Sequence, residues 1–241
     1  MIVRALAPLC MLLLPGLVAS SAAWADAAGL PPATGSLAAV AEKLDRPFPD
    51  PLPAKLTVAG GRLERVLLGN CHDYLAVKAR IVDSDSDRDL RVLRYQVVDC
   101  DALALIGRAA NVRSSALPRD FLTVTDTRRY PASLAPNVSD DERARAARPG
   151  STLQTMTAVR RFTATRPDTL ELKGRAYGIR LSLLARGDFN GDGWEDAAFR
   201  WEAHARRGTY ADSRLVVLTR LDSRPLTAFI EVEPAAPDLP K

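Results

Sequence analysis

Histidine is scarce in this chain of 241 residues, which contains only His72 and His204. The sequence has no H-E-x-x-H zinc motif, no phosphate-binding P-loop and no Ser within a G-x-S-x-G turn. Three large enzyme classes therefore lack their signature residues here. A pair of carboxylates can hydrolyse a glycosidic bond, but the 29 acidic residues single out no such pair.

Long apolar runs are also missing after the N-terminus. The run at residues 9–18 contains Pro15 and is too short to span a membrane. Arg4 precedes it and Ala23-Trp24-Ala25 follows it, which is the order of a secretory signal peptide with its cleavage site. We therefore expect residues 1–25 to be removed, which leaves a periplasmic or secreted protein without a transmembrane anchor.

Cysteine is almost as rare as histidine. Of the three cysteines, Cys10 lies inside the apolar run, so cleavage leaves Cys71 and Cys100. Two cysteines in an exported chain are most simply explained by one disulfide, because the compartment is oxidising. The alternative, a pair of free buried thiols, stays open at this point.

The charges are nearly balanced, with 33 basic and 29 acidic residues and a net charge of +4. This balance argues against nucleic acid as a partner. Arginine nevertheless binds carboxylates and phosphates well. The clusters Arg160-Arg161 and Arg206-Arg207 therefore keep an anionic envelope polymer, or another exported protein, open as a partner.

Oxygen-bearing side chains alternate at Asp188, Asn190 and Asp192, and Gly193 and Asp196 follow them. Calcium prefers about six to eight oxygen ligands. A loop that curls around the ion turns alternate residues inward, and a glycine permits the sharp turn. The pattern therefore predicts a calcium site. The alternative is an acidic hairpin turn that holds no metal.

Residues 187–198 resemble the calcium loop between strands in FG-GAP and VCBS-type repeats. An EF-hand fits less well, because Phe199 stands at the twelfth position, where an EF-hand has a bidentate Glu. The resemblance covers a loop and not a propeller fold, which needs several blades and many more strands. It implies a backbone carbonyl ligand at Trp194 and four side-chain ligands: Asp188, Asn190, Asp192 and Asp196.

Apolar patterning predicts a mainly β fold, a β-rich α+β class with antiparallel sheets and two or three short helices. Helices are expected over residues 36–44, capped by Ser36, and over 139–147, where Ser139 and Glu142 form a capping box. Strands are expected over residues 62–68, 74–82, 90–98, 153–164, 169–172, 179–185, 197–204, 215–221 and 226–232.

A second acidic run, residues 83–89, is expected to form a solvated hairpin tip between the strands at 74–82 and 90–98. Arg88 stands where a calcium loop needs glycine, so no metal is predicted there. The disulfide would join the two ends of this hairpin.

The expected organisation is a linker and short helix over residues 26–55, then a β-rich globular region over 56–232. One or two subdomains are compatible with that region, with a division near 120–150. Residues 233–241 are expected to be a disordered tail. Three functions fit this organisation: a non-catalytic calcium-binding protein, a binding module for an anionic partner, and a calcium-dependent hydrolase or lyase. The first is favoured because the sequence contains every feature it requires.

Export with cleavage after Ala25 is the first testable expectation. Mass spectrometry of the protein recovered from its native compartment should find Asp26 at the N-terminus. Recovery of the uncleaved chain from the cytosol would contradict this prediction.

Overall fold

The structure is a computed structural model that describes residues 37–118, 127–158, 161–166, 168–221 and 229–232. The predicted signal peptide, the Ser36 cap and the predicted tail from residue 233 lie outside the described residues. So do residues 119–126, which belong to the region where a division into subdomains was expected.

The described chain alternates helices and strands in its first half and is mostly strands in its second half. The helices are α1 (Leu37–Asp45), α2 (Cys71–Val77), α3 (Asp87–Ile106), α4 (Asp140–Ala146) and α5 (Leu153–Thr157). The strands are β1 (Leu52–Thr57), β2 (Leu63–Leu68), β3 (Ile81–Asp83), β4 (Arg161–Arg166), β5 (Thr169–Lys173), β6 (Tyr177–Gly187), β7 (Asp196–Ala205), β8 (Ala211–Thr219) and β9 (Ile230–Glu231).

The described strands form two antiparallel sheets. The smaller has the order β2-β1-β3, and the larger runs β4-β5-β6-β7-β8-β9, so that each strand pairs with the next in the chain. Short connections favour this up-and-down order, because neighbouring antiparallel strands need only a turn between them. The architecture confirms the predicted β-rich α+β class with antiparallel sheets.

Both faces of the larger sheet are covered, which makes β7 its most buried strand. Phe199 and Trp201 point to one face, where they pack with Tyr130, Leu134 and other residues of the segment before α5. The Trp201 ring N–H donates to the Leu134 carbonyl at 2.8 Å. Ala198 points to the other face, which packs against α3. Because side chains alternate between the two faces of a strand, β7 contributes residues to the hydrophobic core on each face of the sheet.

Two predicted strands are wrong, since residues 74–82 and 90–98 are mostly helical. Asn70 caps α2, and Ser86 caps α3 by accepting the Asp89 N–H at 3.1 Å. The acidic run at 83–89 is therefore the end of β3 and the start of a helix, not a hairpin tip. The buried face of α3 shows helical spacing in the sequence, at Leu93, Val97 and Cys100. This spacing is typical of a helix and not of a strand.

The predicted strand at 153–164 is also partly wrong. Its first part forms α5, where Thr152 and Thr155 make a capping box, and only its second part belongs to β4. The sequence thus holds more helix than the two or three short helices expected. The capping box of Ser139 and Glu142 at the start of α4 is confirmed. Of the predicted strand at 226–232, only β9 falls within the described residues.

The disulfide between Cys71 and Cys100 is present, with a Cα–Cα distance of 5.1 Å. Its surroundings differ from the expected hairpin, because it joins the first turn of α2 to the middle of α3. Both cysteines are buried in the core between these helices and the sheet. The bond therefore fixes the helices that cover one face of the larger sheet.

Replacing both cysteines, Cys71→Ala with Cys100→Ala, should lower the free energy of unfolding by about 3–4 kcal/mol. The reason is that the bond spans a sequence separation of 29 residues, and its loss frees that loop in the unfolded chain. Urea unfolding of the mature protein measures the change. Reduced wild-type protein should unfold like the variant, and an unchanged unfolding curve for the variant would contradict the prediction.

Candidate metal site

The predicted calcium loop joins β6 to β7, the two longest strands of the larger sheet. The strands end where Gly187 pairs with Asp196, and the loop lies beyond that pair. Gly191 and Gly193 both have positive φ angles, 82° and 87°. Glycine takes this conformation without the strain that a Cβ would bring, so the two glycines let the chain reverse within a few residues.

Asp188 is the acceptor around which the loop turns. Its carboxylate is buried, with an exposed fraction of 2 % for the residue. One carboxylate oxygen accepts the Gly191 N–H at 2.7 Å and the other accepts the Gly193 N–H at 2.8 Å. A buried carboxylate thus bonds two backbone amides of the turn, of which the buried Gly193 amide would otherwise be left without a partner.

Asn190 and Asp192 bond to each other at the outer side of the loop. The Asn190 side-chain oxygen accepts the Asp192 N–H at 3.1 Å, and its amide group donates to Asp192 Oδ2 at 3.0 Å. Asp192 Oδ1 accepts the Trp194 N–H at 2.7 Å. Asp192 is solvent-exposed, whereas Asn190 is half-buried, so this part of the loop faces water.

Asp196 closes the loop and is the most buried of its acids, with an exposed fraction of 0 %. Its Oδ2 accepts the Phe189 N–H at 2.8 Å. Its Oδ1 forms no hydrogen bond of regular geometry among the described residues, and the buried Thr219 hydroxyl is the side chain that interacts with this carboxylate. Burial raises the pKa of Asp196 above its ordinary value, and the negative charges of Asp192 and Asp188 also raise it, whereas the Phe189 N–H and the Thr219 hydroxyl lower it without cancelling the rise.

The types of donor in the loop suit a hard cation, since three carboxylates and one amide oxygen come from residues on one turn. In their present arrangement, however, these acids mostly accept backbone N–H groups. Among the described residues, no group of three or more His, Cys, Asp or Glu side chains is placed so that it could hold a metal ion. Each carboxylate oxygen has a second lone pair, and Asp196 Oδ1 has no hydrogen bond of regular geometry, so the residues fit calcium by their chemistry.

The segment at residues 110–115, which follows α3, forms hydrogen bonds to the loop from outside and is called the brace here. The Ala110 N–H donates to the Asp188 carbonyl at 2.9 Å, and the Arg113 N–H donates to the Gly193 carbonyl at 2.9 Å. The Arg113 guanidinium donates to the Asp192 carbonyl at 3.0 Å. It lies so close to Gly193 that a Cβ there would be 2.3 Å from Arg113 Nε.

Residue 114 continues this brace around Trp194. The Ser114 N–H donates to the Gly193 carbonyl at 3.0 Å, and the Ser114 carbonyl accepts the Glu195 N–H at 2.8 Å. The half-buried Trp194 is therefore held by backbone bonds on both sides.

Glu195 forms a second polar cluster beside the loop. Both of its carboxylate oxygens accept from the Arg186 guanidinium, at 3.0 and 2.9 Å, and Ser115 also donates to it. Burial acts to raise the pKa of Glu195, but the hydrogen bonds from Arg186 and Ser115 outweigh it and hold the pKa below its ordinary value. Glu195 is thus an ion-paired support for the turn.

Neither histidine contributes to this loop in the described structure. His72 is exposed beside Asp45. His204 packs over Gly178, at the opposite end of the β6–β7 pair.

No protein-family model, no curated protein and no solved structure matches this chain. No described helix is long and apolar enough to cross a membrane. The likeness of the loop to FG-GAP and VCBS-type loops therefore stays a prediction that rests on its residues.

Asp188→Ala should destabilise the protein by about 1–3 kcal/mol even in the absence of calcium. The change leaves the buried Gly193 amide without its acceptor, whereas the exposed Gly191 amide can bond water instead. Urea unfolding in a chelating buffer measures the loss.

Asp85→Ala is the matched control for this variant. It removes an acid from the other acidic run, where Asp85 pairs with the exposed Arg65 at 2.7 Å. An exposed pair contributes about 1 kcal/mol or less. Similar small losses in both variants would show that the Asp188 bonds do not hold the turn.

Proposed function

We propose that this chain is an exported, non-catalytic calcium-binding protein whose single loop uses the ion to stabilise the larger sheet. The observation that carries the proposal is the Asp196 carboxylate, which is fully buried, bonds one backbone N–H and has only the Thr219 hydroxyl as a further partner. A buried charge that is incompletely paired is costly. A divalent cation bound beside it would remove that cost and the repulsion from Asp188 and Asp192.

The ligands in this proposal are the side chains of Asp188, Asn190, Asp192 and Asp196, with the Trp194 carbonyl. Calcium supplies charge neutralisation there, and no chemical step is assigned to it. The chain's own residues supply the turn: the two glycines reverse the backbone, and the Asp188 carboxylate bonds their amides.

The position of the loop explains how an ion there would act on the whole fold. The loop links the central strands β6 and β7, and its backbone bonds the segment that follows α3. A bound ion would therefore stabilise the connection between the sheet and the helical layer on one of its faces. Because the ion binds the folded state, its binding free energy would appear as folding stability.

The affinity should be modest, with a Kd of about 10⁻⁵ to 10⁻³ M, as in extracellular calcium modules. The loop lacks the bidentate Glu that closes an EF-hand. An exported protein meets enough calcium for a site of this strength, so export and weak binding are consistent with one another.

Calcium at about 100 times the Kd should stabilise the mature protein by about 2.7 kcal/mol. Asp196→Asn should abolish this gain, because the variant loses the buried charge while its amide oxygen can still accept the Phe189 N–H. Without calcium, the same variant should be at least as stable as the wild type, since it no longer buries a charge. Calorimetry and thermal melting measure both effects.

Asp85→Asn, in the other acidic run, should keep the full calcium gain and serves as the control. Asp188→Ala is a weaker test than Asp196→Asn, because it also removes two amide hydrogen bonds. If millimolar calcium gives neither heat nor a higher melting temperature for the wild type, the loop is an acidic hairpin and the proposed function is wrong.

A further inference from the structure

A group of arginines gathers at the end of the larger sheet opposite the candidate metal site. Two turns meet there: the β5–β6 turn at residues 174–176 and the β7–β8 turn at residues 206–210. The Arg206 N–H donates to the Ala176 carbonyl at 2.8 Å, which joins the turns to one another. Arg175, Arg206 and Arg207 are thereby placed around one opening.

These arginines form no ion pair among the described residues, unlike four arginines in the strands of the same sheet. Ion pairs join Arg180 to Glu171, Arg186 to Glu195, Arg200 to Asp99 and Arg214 to Glu231. Glu142 acts electrostatically on Tyr177, which lines the cavity, but its ion pair is with Arg145. Exposed guanidinium groups around one opening repel one another, and an anion between them would remove that repulsion.

The sheet register brings a fourth basic residue, Lys173, to this end. Lys173 pairs with Gly178, and Gly178 pairs with His204. Lys173 lies 3.9 Å from Glu171, an acid that Arg180 already bonds. The excess of positive charge at this end is thus only weakly opposed.

The opening between the turns has the dimensions of a ligand site. It is a cavity of about 590 Å³, lined by Arg175, Ala176, Tyr177, Ala205, Arg206 and Arg207. Small-molecule sites commonly measure about 300–1,000 Å³.

The Tyr177 side chain lines this cavity and is supported by a second aromatic ring. Its ring meets Tyr210 edge-on, with ring centroids 5.8 Å apart. Tyr210 in turn packs against the hydrophobic core. The cavity therefore combines a supported aromatic side chain with three exposed cationic ones.

We propose that this cavity, defined here as the arginine pocket, binds a ligand that carries two or more closely spaced oxyanions. The planar guanidinium group matches the two oxygens of a carboxylate or of a phosphate, and several such groups favour a multiply charged ligand. The site is separate from the calcium loop, since the two lie at opposite ends of β6 and β7. It would give the exported protein a recognition surface in addition to its structural ion.

The test is calorimetric titration of the mature protein with tripolyphosphate and, separately, with trigalacturonate. The first probe presents phosphates and the second presents carboxylates on a sugar chain, so the stronger binder identifies the source of the oxyanions. Both probes bind calcium, so the titrations use a calcium-free buffer in which circular dichroism has shown that the protein is folded. Binding to at least one probe at low salt is expected.

Arg175→Gln combined with Arg206→Gln should weaken that binding at least about tenfold, because each lost charge-assisted hydrogen bond is costly. The folded structure should be unaffected, since both side chains are exposed and the Arg206 backbone bond remains. Thermal melting checks this.

Arg62→Gln combined with Arg80→Gln is the control with the same loss of charge. Both residues are exposed in the part of the chain that forms the smaller sheet. Full binding by this control supports the arginine pocket. Equal weakening in both double variants would show attraction by net charge alone, and would overturn the proposal, as would the absence of binding to both probes.

Discussion

The burial of two carboxylates at the turn between β6 and β7 is the constraint on which the rest of this structure depends. Asp188 and Asp196 have exposed fractions of 2 % and 0 %, and burying a charge is favourable only when it is paired or fully hydrogen-bonded. The turn gives each Asp188 oxygen one backbone amide, but it gives Asp196 one backbone amide on Oδ2, and Oδ1 has no hydrogen bond of regular geometry. The incomplete pairing of the buried Asp196 carboxylate distinguishes this turn from an ordinary acidic hairpin.

The antiparallel order of the larger sheet separates the two kinds of charge. Successive turns of an up-and-down sheet fall at alternate ends, so the β6–β7 loop lies at one end and the β5–β6 and β7–β8 turns lie at the other. The acids of the candidate metal loop and the arginines at the other end therefore cannot neutralise each other. Between these ends, Arg180 and Arg200 have acids beside them. Exposed charge is left at both ends, as Asp192 at one and as the three arginines at the other.

The sequence allowed good prediction of the second half of the fold and poor prediction of the first. Strands β5 to β8 alternate apolar and polar residues over short connections, and such a pattern needs no distant partner to be recognised. Much of helices α2 and α3 falls in apolar stretches that were predicted as strands, although the buried residues of α3 recur at helical spacing. The caps at Asn70 and Ser86 were the signals that would have corrected the error.

Of the candidate site, only the residues on the loop itself were predictable from the sequence. Asp188, Asn190, Asp192 and Asp196 lie on one short loop, so their spacing alone brings them together. The brace from residues 110–115 comes from the chain that follows α3, and no local pattern connects Arg113 or Ser115 to a loop about 80 residues later. Residues that support a site from another element carry no spacing signature, which is why they were missed.

Strand β7 connects the loop to both hydrophobic cores. A structural change in the turn would therefore affect the packing on both faces of the sheet. Asp196 begins the strand, and the side chains that follow it alternate between the core with Tyr130 and Leu134 and the core with α3. A shift of the Asp196 carboxylate therefore moves the start of a strand that is packed on both faces. Because packed interiors have few voids, such a shift is resisted from both sides. Through the same packing, an ion bound at this loop would act on both layers of the fold.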